Sequence, residues 1–104
     1  MKDLLDIEGA SGALYRFRAQ DVERGLPATA GNYVYVRREG QGVQVVGCGE
    51  TQSLMNAKAL WQTAVEEHQA ERLYLRLNVA RSSRITEHED IVARYRPPLV
   101  KSEG

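Results

Sequence analysis

The segment Glu87-His88-Glu89-Asp90 sets three carboxylates and an imidazole side by side. Carboxylate oxygen is what a hard divalent cation takes as ligand, and imidazole exchanges protons near neutral pH. Consecutive helix residues point about 100° apart, so all four side chains cannot meet one ion. Glu87 and Asp90 are three apart and can share a face; the group equally suits an acidic first turn set against the helix dipole. Cys48 stands between Gly47 and Gly49 and would be a nucleophile only as a thiolate. A single cysteine near a strand end also serves as a small apolar filler. His68 falls on the apolar side of a helical pattern, as an edge-of-core histidine does. The run Gly47-Cys48-Gly49-Glu50-Thr51 has neither the spacing nor the lysine of a phosphate loop. No pair of cysteines or histidines has zinc spacing.

The elements that would carry these residues follow from periodicity. Residues 1–12 mix Asp, Glu, Gly and Ser and are expected to form a loosely held arm. Residues 13–19 alternate, with Tyr15 and Phe17 facing away from Arg16 and Arg18, which predicts a half-buried strand. Asn32 to Arg38 is aromatic and β-branched, Glu39-Gly40-Gln41-Gly42 is a turn, and Val43 to Cys48 returns, so a hairpin is expected. From Ser53 to His68 the apolar residues fall at helical spacing, with Ser53 as a cap. A strand over 73–79 is expected to bury Leu73, Leu75, Leu77 and Val79. A second helix carries Ile85, His88, Val92 and Tyr95 on one stripe, with Thr86 and Glu89 at capping-box spacing; it ends at Pro97-Pro98. The expected class is α/β in the α+β sense. It is a small, mainly antiparallel sheet of three to four strands with two helices packed on it. Residues 13–100 form the single domain and 101–104 a tail.

With 104 residues there is room for one core and not two. Apolar residues are 42% and charged residues 27%, which excludes whole-chain disorder. No apolar run approaches the roughly 18 residues of a membrane span, and the acidic start does not read as a secretory signal. One cysteine rules out an internal disulfide and fits a reducing cytoplasm. Fourteen basic and fourteen acidic side chains cancel, yet residues 72–101 carry seven basic and three acidic ones, a net +4 dominated by arginine. Arginine suits phosphate because its planar fork donates two parallel hydrogen bonds.

The order of these segments resembles the GIY-YIG nuclease domain. The first motif reads Pro27-Ala28-Thr29-Ala30-Gly31-Asn32-Tyr33-Val34-Tyr35, and the second Val46-Gly47-Cys48-Gly49-Glu50-Thr51-Gln52-Ser53-Leu54. The last runs from Arg84 to His88 and then Asp90 to Leu99. The likeness spans about Leu26 to Leu99. It implies a helix glutamate holding a divalent cation, and paired tyrosines with an arginine around the attacked phosphate of DNA. Position by position the pattern breaks. Tyr33 keeps the first tyrosine, but Gly47 stands at the second if Gly49 is the motif's glycine, or Val45 if Gly47 is, and Ala57, beside Lys58, stands at the arginine. His88 stands at the glutamate, with Glu87 and Glu89 on either side.

The resemblance therefore implies a degenerate domain that has lost hydrolysis and binds nucleic acid or a protein partner. Tyr33, Lys58 and His88 would be vestigial or substituted catalytic positions, and Arg37, Lys58, Arg84 and Arg94 the nucleic-acid contacts. No cofactor is expected. The alternative is an active divalent-metal endonuclease with a substituted site, using Mg or Mn held by Glu89 or Glu87. A third reading makes Tyr33, Tyr35 and Trp61 simply core of an unrelated α/β domain.

Overall fold

The computed structural model describes residues 1–103. The chain forms β1 (Leu4–Glu8), β2 (Leu14–Gln20), a 3-10 turn (Val22–Arg24), β3 (Gly31–Glu39) and β4 (Gly42–Thr51). A second 3-10 segment (Leu54–Lys58), α1 (Trp61–His68), β5 (Arg72–Leu77), α2 (Arg81–Tyr95) and β6 (Leu99–Ser102) follow. The six strands make one mixed sheet in the order β1-β2-β5-β3-β4-β6. Every pairing is antiparallel except that of β4 with β6.

The α+β class holds, but the sheet is larger than the three to four strands expected. Both extra strands come from segments expected to be irregular. The arm contains β1, whose Leu5 and Ile7 pair opposite Phe17 and Tyr15 and turn toward the core. Five residues with two inward side chains are too short a pattern to stand out in the sequence. The start of the expected tail, Lys101 and Ser102, belongs to β6, which lies parallel along β4. The diprolyl Pro97-Pro98 ends α2 and turns the chain back to that edge.

The sheet has two covered faces. Toward α2 it presents Val34, Val36, Val45 and Cys48, packed with Tyr15, Phe17, Tyr74 and Ile91. Toward α1 it presents Tyr33, Tyr35, Leu73 and Leu75, packed with Leu54, Ala57 and Ala64. Each of the larger of these side chains contributes roughly 1.5–3 kcal/mol on full burial. A bulge between Tyr35 and Val36 in the β3–β4 register gives β4 one extra residue. That is why both Val45 and Val46 are enclosed, one on each face.

Three local expectations change. The helix foreseen from Ser53 divides into the 3-10 segment and α1, and the Ser53 side chain makes no cap. Helix α2 starts at Arg81, so Thr86 lies within it and no capping box forms with Glu89. Strand β5 ends at Leu77, which is 65% exposed; Val79 lies beyond it, also exposed. Tyr74 fills the opposite face in their place.

Candidate functional site

Strand alternation decides where the sequence candidates go. On β3, Val34 points to the α2 side and packs with Ile91, whereas Tyr33 points to the α1 side and packs with Leu54 and Ala57. His88 is on α2, 5% exposed, with its Nδ1 enclosed and without a hydrogen-bond partner. Tyr33 and His88 are therefore on opposite sides of one sheet. Burial pulls the His88 pKa below the usual imidazole range, and the charges of Glu50 and Glu89 oppose that shift only in part. The imidazole does point at the sheet, as its stripe on α2 predicted.

The remaining candidates do not gather around either residue. Glu87 is ion-paired to Arg76 at 2.7 Å on the α2 side, and Glu89 is exposed. The residues that the resemblance assigns to a metal thus do not meet at one point, and this set does not fit a divalent ion. Among the described residues no group of three or more His, Cys, Asp and Glu is placed to hold one. Arg84 is buried and paired to Glu50, so it is no surface contact for a phosphate. Arg37 is half-buried and donates to the His68 carbonyl at 3.1 Å. Lys58 and Arg94 are exposed, Lys58 at the end of the 3-10 segment and Arg94 against the Tyr95 ring on α2. Burial pushes the Cys48 thiol up to about 12, which removes it as a nucleophile near neutral pH.

Gly47 and Gly49 have a structural reason. A Cβ at Gly47 would lie 2.5 Å from Tyr35 Cδ2, and one at Gly49 2.2 Å from Tyr33 Cζ and Oη. The two phenol rings lie across the neighbouring strand where it has no side chains. They contact each other at a centroid distance of 5.6 Å, and Tyr35 contacts Trp61 at 5.8 Å. Tyr35 Oη donates to the Ala57 carbonyl at 2.6 Å. A second tyrosine at 47, or an arginine at the fully enclosed Ala57, has no room.

What the fold does assemble is a polar corner at the end of β4 on the Tyr33 side. Glu103 places its carboxylate there. It accepts from Thr51 Oγ1, from the Gln52 amide at 2.8 Å and from Asn56 Nδ2 at 3.3 Å. These hydrogen bonds, the one from Thr51 first, hold its pKa below the usual carboxylate range. Tyr33 is 2% exposed, and burial above all, with the charges of Cys48, Glu103 and Glu50, pushes its phenol up to about 12. It stays a proton donor at neutral pH. The parallel register sets Lys101 beside Gly49, on this same side. One residue back, Glu50 is fully enclosed against Arg84 and accepts from Ser102 Oγ and the Glu103 amide, both at 2.6 Å. Sequence reasoning missed Thr51, Asn56, Glu50 and Glu103. The polar run Glu50-Thr51-Gln52-Ser53 after the hairpin was the available signal, but its partner is more than fifty residues away.

No family model matches the chain, and comparison with curated proteins and with solved structures likewise gave no match. No helix of the described residues is long and apolar enough to cross a membrane.

Proposed function

We propose that this chain is a non-hydrolytic domain, built on a GIY-YIG-like hairpin, that binds nucleic acid through its phosphates. The observation that supports the loss of hydrolysis is the separation of Tyr33 from His88 by the thickness of the sheet. A phosphoryl-transfer site needs its proton carrier, cation ligand and phosphate clamp around one atom. Here the phenol is on the α1 side, the imidazole is enclosed on the α2 side, and Glu87 is neutralised by Arg76. The binding surface is the polar corner beside Tyr33. Lys101, opposite Gly49 in the parallel register, lies on the same side of the sheet, and the exposed Lys58 ends the 3-10 segment that carries Asn56.

The test is a salt titration of binding to duplex, nicked and branched DNA, with plasmid incubated in Mg²⁺ or Mn²⁺ alongside. Two phosphate contacts give a log–log salt slope of about −2, and Lys58→Ala or Lys101→Ala lowers it by about one each. Affinity undetectable even at low salt removes nucleic acid from the reading. Metal-dependent cutting that Tyr33→Phe abolishes removes the claim of inactivity.

One observation favours a protein partner as a second reading. The α1 side of the sheet is covered over β3, β4 and the Leu73–Leu75 part of β5. Over β1, β2 and the Leu77 end of β5 a hollow of about 510 Å³ is lined by Leu4, Arg16, Arg18, Pro27 and Leu77 among others, with Leu14 63% exposed nearby on β2. Exposed apolar surface of this kind marks contact sites in other proteins.

A further inference from the structure

The corner at the end of β4 is arranged to hold an oxyanion, and it already holds one. Three donors from two different elements converge on the Glu103 carboxylate: the Thr51 hydroxyl, the Gln52 backbone N–H and the Asn56 side-chain amide. Asn56 Nδ2 also donates to Thr51 Oγ1 at 3.2 Å, which fixes the hydroxyl between them. The Tyr33 hydroxyl is carried on a buried side chain on the same side of the sheet. The negative charge of Glu103 acts on that phenol. The neighbouring carboxylate, Glu50, does not oppose a second anion strongly, because Arg84 is paired to it inside the fold. The occupant is held by a short element: β6 has four residues, and all but Leu99 are exposed.

We propose that Thr51, Gln52 and Asn56, with the Tyr33 hydroxyl beside them, form a binding site for a phosphate group, and that the Glu103 carboxylate is an internal occupant which that phosphate displaces. Carboxylate and phosphate oxygens accept from the same donors, and a phosphate offers more acceptor oxygens than the carboxylate it replaces. One more oxygen can reach Tyr33 Oη. For a nucleic-acid phosphate the inference rests on the reading above; for the phosphate group alone it stands by itself.

The experiment follows the Gln52 backbone amide and the Asn56 side-chain amide by ¹⁵N NMR in the full chain. Inorganic phosphate is titrated against a sodium chloride control of equal ionic strength. In the native chain Glu103 competes, so both signals move only at high phosphate. In Glu103→Ala they move at a concentration lower on the order of tenfold or more, the worth of about one charge-assisted hydrogen bond. Adding Thr51→Val or Asn56→Ala to Glu103→Ala abolishes the response. A folded Glu103→Ala chain whose Gln52 signal ignores phosphate overturns the site. Should Glu103→Ala lose β6, Glu103→Gln keeps a neutral side chain in place and the same readout applies. A duplex oligonucleotide then separates the sources. If it moves the two signals, the phosphate is that of a nucleic-acid backbone. If phosphate moves them and the duplex does not, the site stands and the nucleic-acid reading falls.

Discussion

Arg84 on α2 reaches Glu50 on β4 at 3.3 Å from Nε to Oε1, with 4% and 1% of the two side chains exposed. This pair and its neighbours tie α2 to β3, β4 and β6. Arg84 also donates to the Val79 carbonyl at 2.8 Å, before α2, while its own carbonyl accepts from Asn32 Nδ2 on β3 at 2.9 Å. Glu50 in turn accepts from Ser102 at the end of the last strand and from the Glu103 amide just beyond it. Removing one member of a buried ion pair leaves an uncompensated charge, which costs far more than the intact pair contributes.

Arg84→Met should therefore destabilise the fold by about 3–5 kcal/mol. Arg84→Met combined with Glu50→Gln should recover much of the loss, because no charge is then left enclosed. Urea denaturation of the three chains measures both. A single variant as stable as the native chain would show the pair to be open to water.

His88 sets a pH dependence. Its folded pKa lies below the unfolded imidazole value, chiefly through burial. The unfolded chain then binds more protons in the window between the two values, so stability rises with pH there. Stability is complete above about pH 6.5 and declines as pH falls through the folded pKa. His88→Gln, which does not titrate, should flatten that part of the curve. Denaturant midpoints between about pH 5 and 7.5 decide it. An unchanged slope in the variant would place the dependence on another group.

The tyrosine–glycine contacts predict an asymmetry between neighbouring positions of β4. Gly49→Ala forces the Tyr33 ring from its place and should cost about 1–3 kcal/mol. Gly47→Tyr, which would restore the second tyrosine of the resembled motif, should prevent a stable fold, because Tyr35 already covers that position. Combining Gly49→Ala with Tyr33→Leu should regain part of the loss. Thermal unfolding of these variants reads the order directly. A Gly49→Ala chain with unaltered stability would contradict the packing.

Asp90 ties the N-terminal turn to α2. Its carboxylate accepts from the Ser11 amide at 2.9 Å, Ser11 Oγ at 2.7 Å and Tyr15 Oη at 2.6 Å, and its carbonyl from the Ala10 amide at 3.1 Å. Asp90→Ala should leave the sheet intact but raise amide exchange and proteolytic nicking in residues 9–13. Equal protection in both chains would mean that the β1–β2 ladder alone holds the turn.

The hairpin, α2 and the inward set of β2 were legible in the sequence because each carries a local signal. Tyr15 and Phe17 alternate with arginines, the Gly40–Gly42 turn separates two β-branched runs, and His88 and Val92 fall one turn apart. The edge strands were not legible. Leu4–Glu8 and Leu99–Ser102 are strands only because β2 and β4 offer them unpaired backbone. The candidate site was read less well than the fold. His88 was read as facing the sheet, yet inward has two directions on a sheet covered on both sides, and Tyr33 takes the other one.

The sequence by itself determined the periods of β2, of the hairpin and of α2, and that a glycine, Gly47, stands between the strands' branched residues and Cys48. Only the tertiary structure decided which sheet face each inward residue meets, that Arg84 answers Glu50, and that Glu103 reaches Thr51 and Asn56. The reason is range. Periodicity is a property of a dozen neighbouring residues, whereas charge pairing and face assignment depend on segments that meet only after the chain has closed around its core.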